Sequence, residues 1–81
     1  MKITHLDIDV DQWLGALGCA IRNKRKELGL SQEELAHLIQ IDRSHMGRIE
    51  RGERNLTFAN ILKISAGLKC SPSALLMLAG L

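Results

Sequence analysis

The chain has 81 residues, enough for one small domain whose single core is only marginally sufficient, so pairing with a second copy would help to stabilise it. Apolar residues make up 46% and aromatics only 2%, so the core must come from Leu, Ile and Ala, and helices are favoured over sheet. The formal net charge of +2 selects no partner, no apolar run reaches the ~18 residues of a membrane span, and the acidic start lacks the apolar stretch of a signal peptide; a cytoplasmic location is expected.

Residues 1–8 read as an N-terminal arm, and residues 9–81 as one all-α domain of five helices. Each predicted helix opens with a short polar N-cap, an apolar residue just before it and another four positions after it. The cap oxygen satisfies an orphan backbone N–H, and the two apolar residues close over the turn as a hydrophobic staple.

In chain order, Ile8-Asp9 with Trp13 opens the first helix, near 10–28, and Gln12 stands at the position that completes a capping box. Leu14, Leu17, Ile21 and Leu28 form its buried stripe, and Trp13 is expected in the staple and the core. Leu30-Ser31 with Leu35 opens the second helix, near 32–39, with Glu34 at the box position. Ile41-Asp42 with Met46 opens the third, near 43–51. Leu56-Thr57 with Ile61 opens the fourth, near 58–68. Cys70-Ser71 with Leu75 opens the fifth, near 72–79, with Pro72 at the first helical position, where its missing N–H costs nothing. Gly29 and Gly52 suit the left-handed residue that follows a helix.

The two cysteines, Cys19 and Cys70, fall at apolar positions and are expected to be buried, reduced thiols. His5, His37 and His45 have no metal-ligand spacing, so neither a metal nor another cofactor is expected. Glu33 and Glu34 stand beside no nucleophile, and capping accounts for Glu34, so no enzyme is expected.

The charges are unevenly placed. Arg43, Arg48, Arg51 and Arg54 fall in one short stretch, and Arg22, Lys24, Arg25 and Lys26 form a second cluster. The second and third helices are joined by so few residues that they must cross steeply, with Ala36 small at the crossing. Ile41, Met46 and Ile49 hold the third helix to the domain. Its other face carries Arg43, Ser44, Gly47, Arg48 and Arg51, with His45 near the edge. That face is polar, basic and slim, as a helix in a DNA major groove must be.

The runs Leu30-Ser31-Gln32-Glu33-Glu34-Leu35-Ala36, Ile41-Asp42-Arg43-Ser44 and Ile49-Glu50-Arg51-Gly52 resemble the lambda-type repressor and Cro family of helix-turn-helix proteins. The resemblance spans about residues 20–78. Within that family, Asp42-Arg43-Ser44 with the run from Glu50 to Thr57 is similar to the controller proteins of restriction–modification systems. It implies a transcriptional regulator that binds a palindromic operator in double-stranded DNA as a homodimer, with no small-molecule ligand. Arg43, Ser44, His45 and Arg48 would read bases, while Gln32, Arg51, Arg54 and Asn55 would hold the DNA backbone. Arg25 and Glu50 would form a buried ion pair.

Three positions depart from the family pattern. Gln40 replaces the usual Gly or Asn of the left-handed turn, Lys69 replaces a frequent Gly, and His45 replaces a frequent aromatic. The last helix, Ala74 to Ala79, is apolar all round. Leu75 and Leu78 are assigned inward, which leaves Leu76, Met77 and Leu81 as the expected dimer interface. The rival reading is a protein-interaction module on the same fold, a bridging factor or an antitoxin. Such a module has no need of Arg43, Ser44 and Arg48 together with Gln32 and Asn55.

Overall fold

The computed structural model describes residues 9–53 and 56–81. The arm, with His5 and the Ile8 staple residue, and the pair Arg54 and Asn55 lie outside the described residues. Five helices follow in order: α1 (Val10–Glu27), α2 (Gln32–Leu38), α3 (Arg43–Glu50), α4 (Phe58–Gly67) and α5 (Pro72–Leu78). Among the described residues there is no strand.

Every predicted N-cap forms. Asp9, Ser31, Asp42, Thr57 and Ser71 each accept, through a side-chain oxygen, the backbone N–H three residues on. Only α2 closes a full capping box, in which Ser31 N–H donates to Glu34 Oε1 at 2.9 Å and Glu34 N–H donates to Ser31 Oγ at 2.9 Å. At α1 the Asp9 half stands alone, so the box expected of Gln12 is incomplete.

The helices also end alike. In each, the residue after the C-cap has positive φ, and its own N–H and that of the following residue turn back onto the last carbonyls in a Schellman motif. Glycine supplies that residue after α1, α3 and α5, and Gln40 and Lys69 supply it after α2 and α4, both at φ 58°. A side chain in this conformation costs roughly 1–2 kcal/mol. The closing bonds Ile41 N–H to Ala36 O, 2.9 Å, and Cys70 N–H to Ser65 O, 3.0 Å, offset part of that cost. Leu30, Ile41 and Cys70 each finish one such motif and also precede the next N-cap, so a single apolar residue, packed on the core, closes one helix and staples the next.

The core draws on all five helices: Leu17, Ala20 and Ile21; Leu35 and Ala36; Met46 and Ile49; Ile64 with the α4 cap Leu68; and Leu75. Several sequence expectations fail at its margins. Leu28, the C-cap of α1, is exposed, and it is Leu30, beyond the turn, that packs on the core. Trp13, on the first turn of α1, is 49% exposed. Cys19 is exposed and accepts from Asn23 Nδ2 at 3.6 Å, and Cys70 is half-buried; both are free thiols.

Helix α5 also packs differently from expectation. Its inward residues are Leu75, completely buried, with Leu76 and Ala79 packed beside it, and Leu78 is 60% exposed. At about 100° per residue, Leu75, Ala79 and Leu76 span one arc of the helix, and Leu78 falls just outside it, about 60° beyond Leu75 on the side away from Leu76. The outward apolar residues are therefore Met77, Leu78 and Leu81, with Leu76 turned partly in. No single described helix is long and apolar enough to cross a membrane; α4 and α5, apolar together, meet at 90°.

Candidate nucleic-acid interface

Helix α3 has one buried side and one open side, and the division follows its sequence. Met46 and Ile49 sink into the core, and Arg43, Ser44 and Arg48 stay exposed. Gly18 lets α1 approach α3 closely. A Cβ on Gly18 would lie 2.5 Å from the Ile49 carbonyl oxygen and 2.6 Å from that of Glu50, so only a bare backbone fits at this crossing. The sequence reading missed this role. A glycine within an 18-residue helix, at about 1 kcal/mol less helix propensity than alanine, is the signal that could have revealed it.

Behind the open face lies a charged lock. Arg25 Nε donates to Glu50 Oε2 at 2.8 Å, and Arg25 Nη2 donates to Glu50 Oε1 at 3.0 Å. Arg25 Nη1 donates to the Leu30 carbonyl at 2.8 Å, and Gln32 Nε2 donates to Glu50 Oε1 at 3.1 Å. Both charged residues are buried. The Glu50 hydrogen bond raises the Arg25 pKa above its usual value, opposed by burial and helped by the charge attraction. One carboxylate thus ties α3 to α1 and to the first residue of α2, and α1 in turn to the loop before α2. A buried charge with all its partners in place is held firmly; one left alone is costly.

Gln32 is therefore a brace for α3, and it lies over Gly47. A Cβ on Gly47 would come within 3.3 Å of Gln32 Oε1 and 3.2 Å of Arg51 Nη1. Gly47 is buried beneath these two side chains instead of standing on the open face. Gln32, Arg43, Ser44, Gly47, Arg48 and Arg51 line one polar cleft along α3. Arg51, the α3 C-cap, is oriented by Glu53, whose Oε2 accepts from Arg51 Nε at 3.0 Å. That bond lowers the Glu53 pKa.

His45 differs from its expected placement at the base-reading edge. It is half-buried, and its Nε2 is closed off from solvent without a hydrogen-bond partner, so this end of the imidazole is not offered to a groove. Arg54 and Asn55, assigned to the backbone, lie outside the described residues. Among the described residues no three His, Cys, Asp or Glu side chains are grouped to hold a metal ion.

Comparison with known proteins agrees with this geometry. The Helix-turn-helix family profile matches residues 21–75. The control protein C.MunI of a Mycoplasma species is 44% identical over 59 residues, covering 72% of this chain and 80% of that protein. The crystal structure of the restriction-modification controller protein C.AhdI from Aeromonas hydrophila has a TM-score of 0.75 at 45% identity, covering 76% of this chain and 94% of that one. The controller protein C.Esp1396I, solved as a tetramer in complex with its natural 35 base-pair operator, has a TM-score of 0.76 at 33% identity, covering 83% of this chain and 88% of that one.

Proposed function

The chain belongs to the Helix-turn-helix family, with restriction–modification controller proteins among its relatives, and on that premise we propose that it is a transcriptional regulator that binds a palindromic operator as a homodimer. One observation carries the reading: Arg43, Ser44 and Arg48 stand free on a helix whose opposite side is locked by Arg25, Glu50 and Gln32. A base-reading helix needs that combination, because readout depends on donors held at fixed offsets from the groove floor.

In this reading Arg43 and Arg48 reach guanine O6 and N7, and Ser44 reads beside them. Gln32, Arg51, Arg54 and Asn55 contact phosphates, which sets register without reading sequence. No step is catalytic, and a cytoplasmic location goes with a chromosomal target. The dimer is proposed to form through the outward face of α5, with Met77, Leu78 and Leu81 at its centre and Leu76 at its inner edge. Two such copies would present their α3 helices about one DNA turn, ~34 Å, apart.

The test is selection of binding sites from a pool of random duplexes by the full chain. Enrichment of a two-fold symmetric sequence is the expected result. A pool that stays unenriched while the protein remains folded would refute the reading.

A further inference from the structure

A second cleft opens on the far side of Gln32 and Arg51. Arg22, Arg25, Lys26, Gln32, Glu50 and Arg51 line it, so it shares Gln32 and Arg51 with the cleft along α3. Its charge is one-sided. Among the described residues Glu50 is its only carboxylate, and that group is engaged by Arg25 and Gln32. Lys24 pairs with Glu27 at 3.7 Å and Arg51 with Glu53, whereas Arg22 and Lys26 are exposed and form no ion pair among the described residues.

Arg22 and Lys26 stand four residues apart on one face of α1, a like-charge spacing that works against the helix. Burial gives no reason for the pair, and an anion held between them would relieve the repulsion. Arg25 on the same helix is fixed by three hydrogen bonds, two to the Glu50 carboxylate and one to the Leu30 carbonyl, so the α1 backbone that carries Arg22 and Lys26 is held against α3.

We infer that Arg22 and Lys26, with Arg51 across the cleft, bind the phosphodiester backbone of the duplex that α3 reads, and so extend the electrostatic contact from α3 onto α1. The inference rests on the proposed function and names a part of the DNA contact that lies outside the base-reading helix. The continuity of the two clefts favours phosphates of the same duplex, because Gln32 and Arg51 wall both. Such contacts add affinity and salt dependence but no sequence preference.

The test measures binding to a duplex of about 30 base pairs and random sequence, by fluorescence anisotropy from about 50 to 200 mM KCl. The wild type is compared with Arg22→Gln/Lys26→Gln and with Lys63→Gln/Lys69→Gln. Lys63 and Lys69 line a separate cleft that shares no residue with these two, and their removal changes net charge by the same amount. The slope of log affinity against log salt should fall by about 1.8 for the α1 pair, at about 0.9 per phosphate. It should hold for the control pair, and sequences selected by the α1 variant should match those of the wild type. An unchanged slope in the α1 variant, or an equal fall in both variants, overturns the inference while the functional reading stands. Absence of duplex binding by the wild type overturns both.

Discussion

Arg25 and Glu50, 25 residues apart in the chain, meet in a two-pronged ion pair at 2.8 and 3.0 Å, with side chains only 9% and 3% exposed. Glu50→Ala strands the arginine and also frees Gln32, so we expect a loss of about 3–5 kcal/mol, against 1 or less for an exposed pair. Urea denaturation measures it. A loss of a few tenths would mean that the pair is not buried in solution.

The two glycines of α1 should respond in opposite ways. Gly15→Ala places a methyl in open space and should stabilise the protein by about 0.4–1 kcal/mol through the unfolded chain. Gly18→Ala drives a methyl into the α3 backbone and should cost about 1–3 kcal/mol despite the gain in helix propensity. Paired thermal melts decide, and equal shifts in both variants would show that α1 does not press on α3 at Gly18.

Base readout should separate from backbone contact. Arg43→Ala and Arg48→Ala should each weaken binding to the selected operator by about 1–3 kcal/mol and relax its sequence preference, with much smaller effects on random duplex. Retention of the full wild-type preference by both variants would remove them from the readout. Arg54→Ala should instead weaken binding to all duplexes and lower the salt slope by about 1.

The capping box predicts an acid-sensitive helix start. The Ser31 backbone N–H, and then its hydroxyl, hold the Glu34 carboxyl below its ordinary 4.5. A carboxylate with a lowered folded pKa stabilises the fold above its unfolded value, and that contribution fades as pH falls through the folded value. A carboxyl carbon NMR titration should therefore place Glu34 below 4.5, and Glu34→Gln should remove this part of the loss of stability on acidification. A Glu34 midpoint at or above 4.5 would mean that the box is open in solution.

For assembly, the outward face of α5 is the proposed dimer surface. Met77 is 75% exposed and Leu78 60% exposed, so Met77→Asp should leave the fold intact and convert a dimer to a monomer in sedimentation at micromolar concentration. If Met77→Asp sediments as the wild type does, α5 is not the dimer interface.

Local chemistry was legible in the sequence because its partners are close in the chain. Every N-cap is satisfied three residues on, and every helix stop by carbonyls within five, so Asp9, Ser31, Asp42, Thr57 and Ser71 marked the starts and Gly29 and Gly52 two of the ends, whereas Gln40 and Lys69 stood out only against the family pattern. The exposed Arg43, Ser44 and Arg48 followed from helical spacing once Met46 and Ile49 were assigned inward. The ion pair of Arg25 and Glu50 came from family resemblance, since spacing alone cannot pair residues 25 apart. What the tertiary structure decided is which neighbour covers each face. Leu78 and Trp13 are apolar yet left exposed by the packing, and Gly18 and Gly47 matter through the backbone and side chains that press on them. Arg22 and Lys26 belonged to a second charge cluster without an assigned role until the fold set them beside Gln32 and Arg51. A chain's own pattern specifies its turns and stripes, but burial and proximity belong to pairs of elements, and those pairs exist only once the helices have packed.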